Sequence, residues 1–126
     1  MKEKAWIVAG LTLLLCRAAL SAHHPLTDYN EDRPQTIDGT LVELHLSNPH
    51  SLLYLDVQDQ GGPVQRWTIE WYAAFTLKQQ GVTSGTLTAG DHLIVGGYPS
   101  RNPTDHRLWL RTIRRPTDGW KWTGAF

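Results

Sequence analysis

His23 and His24 follow directly on Ser21-Ala22, at the point where an export signal would be cut. A cut after Ala22 leaves His23 as residue one, its free amine beside its own imidazole. A cut after Ser21 leaves Ala22-His23-His24, with a histidine third from a free amine. Either end chelates late first-row divalent ions, and copper(II) outcompetes the others at nitrogen sites of this kind. An unperturbed α-amine titrates near about 7.7–8.0 and an imidazole near about 6.5, so both donate electron pairs at mild pH. His50, in Asn48-Pro49-His50, is the third candidate ligand and sits where two predicted strands meet. Together His23, His24 and His50 would form a site of three or four nitrogens for copper(II). The plainer alternatives are a solvated chain end for His23 and His24 and an exposed turn residue for His50.

Both terminal ligands presuppose removal of residues 1–22. Lys2 and Lys4 supply a basic start, residues 6–15 an apolar run, and residues 17–22 a small-residue stretch, the three parts of a secretory signal. The apolar run is shorter than the about 20 residues that a membrane-spanning helix needs. A cut after Ser21 sets Ala19 and Ser21 at the positions that favour small residues; a cut after Ala22 sets Leu20 and Ala22 there. Cys16 follows Leu15, a poor context for lipid attachment. The expected address is periplasmic or secreted, with no stable membrane span after cleavage.

About 104 residues would remain, enough for one domain with a modest core. Nine Lys and Arg then stand against eleven Asp and Glu. Such a balance offers no basic field, which argues against nucleic acid as a partner. The single Cys and the single Met both lie in residues 1–22. The expected mature chain therefore has no disulfide and no soft sulfur ligand, and any metal would meet nitrogen and oxygen.

The rest of the chain must position these groups. Residues 25–36 are polar, contain two prolines, and read as an extended arm or loop. From Ile37 the pattern has period two, with Val42, Leu44 and Leu46 on one face and Glu43 and His45 on the other. Asn48-Pro49 breaks it. Leu53, Leu55 and Val57 define a second strand, Asp59-Gln60-Gly61-Gly62 a turn, and Trp67, Ile69 and Trp71 a third strand. A short helix follows, ending near Gln80, with Gly81 and Val82 placed as a Schellman stop. Residues 92–98 and 107–113 are the fourth and fifth strands, and Trp120-Lys121-Trp122 adds a short one.

An order of three strands, a helix and two strands is that of an OB-like five-stranded barrel, all-β with one short helix. The expected organisation is a signal over 1–22, an arm over 23–36 and the barrel with an aromatic tail over 37–126. The expected core comprises Trp67, Ile69, Leu53, Leu55, Val42, Leu44 and Val95. In such a barrel the loop holding His50 lies at the binding rim, within reach of a flexible arm.

The motifs Ala22-His23-His24, Gly39-Thr40-Leu41, Asn48-Pro49-His50, Trp67 with Glu70, Gly81, Gly90-Asp91, Pro99 with Arg101, and Asp118-Gly119 occur in this order over almost the whole expected mature chain. In that order they resemble a family of small exported bacterial proteins of unknown function. Pro25 stands where that family often has Ser, and Leu41 where it has Val. The resemblance implies a fold and an exported address; it implies no activity.

Other groups have simpler accounts. His45 shares a solvent face with Glu43, while Asp91-His92 and Asp105-His106 are neighbours whose side chains point to opposite faces of a strand. A carboxylate pair of Glu70 with Glu43 or Asp56 has no spacing to recommend it. No nucleophile elbow, phosphate loop or His-Glu-x-x-His pattern is present, so an enzyme is not expected. The alternative function is a module for a non-metal periplasmic ligand, a glycan or a protein segment. That ligand would lie on the barrel face and the 99–105 loop, where exposed tryptophans offer stacking surfaces.

Overall fold

The structure, a computed structural model, describes residues 25–125. The expected signal, with His23 and His24, lies outside the described residues. Six strands follow a short 3-10 turn at Pro25–Asp28: β1 Gln35–His45, β2 Ser51–Gln58, β3 Val64–Trp71, β4 His92–Pro99, β5 Arg107–Arg115 and β6 Trp120–Thr123. The one α-helix among the described residues, α1, is Ala74–Gln79 and lies between β3 and β4.

The strands run β3-β2-β1-β4-β5-β6, and β3 also pairs with β5. That last pairing is parallel, Thr68 with Arg107, Ile69 with Leu108 and Glu70 with Trp109, and it closes five strands into a barrel. All other pairings are antiparallel. The sixth strand extends the sheet beyond β5, Ile113 facing Trp122. The expected β-β-β-α-β-β barrel is the fold observed.

Alternation fills the barrel. Leu53 and Leu55 on β2, Ile69 and Trp71 on β3, Leu93 and Val95 on β4, and Leu108 and Leu110 on β5 are all fully buried. Each such side chain contributes about 1.5–3 kcal/mol through removal of apolar surface from water. Four expected core residues, Leu53, Leu55, Ile69 and Val95, are among them.

Strand β1 departs from the expected pattern. Its inward residues are Ile37, Gly39 and Leu41; the pairing with β2 then slips between Leu41 and Glu43. Val42 is the extra residue of this bulge, and Leu44 returns to the inward side opposite Leu53. Val42 and Leu44 are therefore half-buried rather than central, and the fully buried residue of this stretch is Leu41. Trp67 is half-buried too, packed against the core from its rim.

Helix α1 begins at Ala74 and stops where the sequence places its end. The Val82 N–H donates to the Leu77 carbonyl at 2.9 Å and the Gly81 N–H to that of Lys78 at 3.1 Å. Gly81 has φ +82°, the left-handed conformation this stop demands.

Candidate functional site

The centre of the site is an outward-facing tryptophan that is nonetheless covered. Trp109 lies on β5 between inward Leu108 and Leu110, yet only 5% of it is exposed. Three rings from three segments cover it. Tyr29 of the arm lies 6.1 Å away, His50 of the β1–β2 turn meets it edge-on at 5.3 Å, and Tyr72 beyond β3 lies at 6.0 Å. Tyr72 in turn meets Trp122 of β6 at 5.4 Å.

The arm is fastened rather than free. Tyr29 is 2% exposed, and its hydroxyl donates to Glu70 Oε2. Arg107 Nη2 lies 3.2 Å from the other oxygen, Glu70 Oε1. Burial is the main force raising the Tyr29 pKa well above that of an ordinary tyrosine, and the Glu70 carboxylate adds to it; Arg107 works against both. The backbone completes the attachment: Asn30 N–H donates to Pro99 O at 2.8 Å, Arg101 N–H to Asp28 O at 2.9 Å, and Arg101 Nε to Thr27 O at 2.9 Å. The arm thus runs along the β4–β5 loop. Within the segment 25–36, read from the sequence as an extended arm or loop, a 3-10 turn and a buried tyrosine seat the chain on the barrel.

His50 is held by its neighbours in the turn. Ser47 Oγ donates to the His50 carbonyl at 2.5 Å, and the Asn48–Pro49 peptide is cis. Asn48 Oδ1 accepts the Phe75 N–H at 3.2 Å and the Ser47 carbonyl accepts that of Ala74 at 2.9 Å. Ala73 at the N-cap has no side-chain oxygen to offer, so the turn caps the helix in its place. Asn48 therefore does more than shape a corner. It fixes the turn to α1 and leaves the His50 imidazole half-buried against Trp109, without a hydrogen-bond partner among the described residues.

The other histidines are spread around the barrel. His45 is exposed, as expected. His92 Nε2 lies 2.5 Å from Asp38 Oδ1 across the β1–β4 pairing, while its neighbour Asp91 binds Arg115 at 2.7 Å. His106 packs on Trp67 with ring centres 5.3 Å apart. Glu70 pairs with neither Glu43 nor Asp56; Asp56 takes Arg66 instead, at 2.5 Å. Among the described residues no three His, Cys, Asp or Glu side chains gather as a metal-holding group. Nor is any helix there long and apolar enough to cross a membrane.

Beside the arm lies a cleft of about 470 Å³, lined by Arg33, Trp67, Arg101 and His106 among others. Tyr29, Glu70, Arg107 and Trp109 were not legible as site residues from the sequence. Only the odd placement of Trp109, flanked by leucines on both sides in a short strand, hints that its outer face is covered.

The family model "Family of unknown function (DUF6152)" matches residues 12–109, and the chain belongs to that family. No curated protein matches the chain. Among solved structures, the mitochondrial single-stranded DNA binding protein Rim1 of S. cerevisiae is similar at a TM-score of 0.50 and 12% identity, over 66% of this chain and 92% of that one. A second crystal structure of the same yeast protein, labelled with selenomethionine, gives a TM-score of 0.47 and 13% identity over 74% and 97%. The likeness to the first is one of fold, a barrel resembling OB-fold proteins.

Proposed function

We propose that this protein is exported and binds a divalent transition metal, copper(II) by preference, through His23, His24 and His50. The observation that carries the reading is the shared contact with Trp109. Tyr29 and His50 pack on the same ring, so their centres are no farther apart than those two separations laid end to end. The 3-10 turn ahead of Tyr29 rises about 2 Å per residue. Pro25, where that turn begins, is thus on the order of 8 Å along the chain from Tyr29, and a histidine attached before it is tethered near the turn that holds His50.

The imidazole of His50 supports the reading in a second way. It is oriented by Trp109 and the capped turn while its ring nitrogens are engaged by none of the described residues. Preorganisation of this kind lowers the entropy cost of recruiting a ligand. The amine and the imidazoles of His23 and His24 bring nitrogen donors that suit tetragonal copper(II). Cargo handling is the role that suits a donor set drawn from a chain end and one turn histidine.

The test is intact mass of the protein recovered after export, followed by copper(II) titration. The reading expects a mature chain beginning at Ala22 or His23, and tight copper binding at neutral pH that weakens on acidification as the ligands take up protons. A chain beginning well beyond His24 would end it. So would an unchanged affinity after His23→Ala and His24→Ala together.

A further inference from the structure

The cleft beside the arm has a chemistry of its own, independent of any metal. Its walls are the second half of the arm, the rim of β3 and the β4–β5 loop. That loop is held rigid from within. Ser100 Oγ donates to Asp105 Oδ2 at 3.3 Å and accepts the Asn102 N–H at 3.1 Å, while Asn102 Oδ1 accepts both the N–H and the hydroxyl of Thr104. On the opposite wall, Asn30 Oδ1 accepts the Asp32 N–H at 3.2 Å.

These internal bonds consume acceptors and leave donors. The side-chain amide N–H groups of Asn30 and Asn102, and the Arg33 guanidinium, have no protein acceptor among the described residues. Trp67 lines the same cleft, with part of its ring exposed there. Arg33 and Arg101 outnumber the single acid, Asp105, so the surplus charge is positive. The half-exposed Trp67 ring, backed by His106, adds an apolar face. The volume falls within the about 300–1,000 Å³ common for small-ligand sites.

We propose that this cleft binds a carboxylated sugar ring, a uronic acid, with Arg33 on the carboxylate and Trp67 against the ring face. A planar guanidinium matches a carboxylate in bidentate fashion. The amides of Asn30 and Asn102 meet ring hydroxyl oxygens, and Arg101, already fixed by Thr27, holds the loop in place.

The test is a titration with D-glucuronate and D-galacturonate, with D-glucose as the neutral control, following tryptophan fluorescence and heat. It uses the full exported chain carrying His23→Ala and His24→Ala, so that copper plays no part. A saturable response to a uronate, at least tenfold tighter than to glucose, is expected. Arg33→Gln, an exposed position that leaves the fold intact, should weaken uronate binding at least tenfold. Trp67→Phe should abolish the fluorescence change while weak binding persists by heat. Equal responses to glucose and uronate, no response to either uronate, or an unchanged affinity in Arg33→Gln would each overturn the proposal.

Discussion

Tyr29 and Glu70, 41 positions apart in the sequence, share a hydrogen bond that binds the N-terminal arm to the closing strand of the barrel. Glu70 stands in the only parallel pairing among the described strands, opposite Trp109. One carboxylate thus receives the arm's tyrosine on one oxygen and Arg107 on the other. The ring that orients His50 belongs to the residue beside it.

Tyr29→Phe removes the hydroxyl and leaves the ring on Trp109. The expected loss is about 1.5–3 kcal/mol, the range for a hydrogen bond to a charged group, measured by chemical denaturation. Hydrogen exchange should rise at residues 26–33 while the strands stay protected. Exchange that rises throughout the barrel instead would mean that the bond holds the whole fold and not the arm.

Alkali should loosen the same contact. The Tyr29 pKa is raised, first by burial and then by Glu70, so its contribution is complete below the ordinary value of about 10 and is lost as pH climbs above it. In an absorbance titration Tyr29 should ionise after the other three tyrosines, together with increased exchange in the arm. Four tyrosines titrating as one class would contradict this.

Acid acts on the opposite end of the barrel. The Thr88 N–H, with Arg115 adding to it, holds the Asp91 carboxyl below the usual range; Arg115 and then the Trp120 N–H do the same for Asp118. Lowered folded values contribute stability above the ordinary carboxylate pKa of about 4, and that stability is lost as pH falls through them. Urea midpoints should fall on acidification below about pH 4, and Arg115→Gln should flatten the fall. Parallel curves for the two proteins would show that the network carries none of it.

Two tryptophans on β3 should respond differently to truncation. Trp71 is fully buried against Trp122, and Trp71→Ala should cost about 3–5 kcal/mol. Trp67 is half-buried at the rim, so Trp67→Ala should cost clearly less. Equal losses would place Trp67 in the core after all.

Gly97 tests the register that presents Trp109. A Cβ there would lie 2.0 Å from the Trp109 carbonyl oxygen, a backbone atom that yields only if β5 moves. Gly97→Ala should cost at least the about 1–3 kcal/mol typical of overpacking, and should expose Trp109 to quenchers. Wild-type stability would show that β5 shifts freely.

Strand order, the helix and its Schellman stop were legible because period-two alternation and the pair Gly81-Val82 are local signals. The bulge at Val42 was not, since Val42, Leu44 and Leu46 alternate correctly by themselves and only the pairing with β2 reveals the extra residue. The site was legible at His50 alone among the described residues. Tyr29, Glu70 and Arg107 come together through barrel closure between β3 and β5, a long-range parallel pairing that no local spacing announces. Asn48 looked like turn chemistry because its partner, the start of α1, lies 27 residues away.

Pulsed electron paramagnetic resonance of the copper(II)-loaded exported protein, wild type against His50→Ala, puts the central claim to its most direct test. The account predicts that the wild-type spectrum carries the nitrogen coupling of one more imidazole than the variant, and that the variant binds copper more weakly. Identical spectra and equal affinities would contradict it, confining any copper to the chain end and leaving the seat on Trp109 without a part in metal binding.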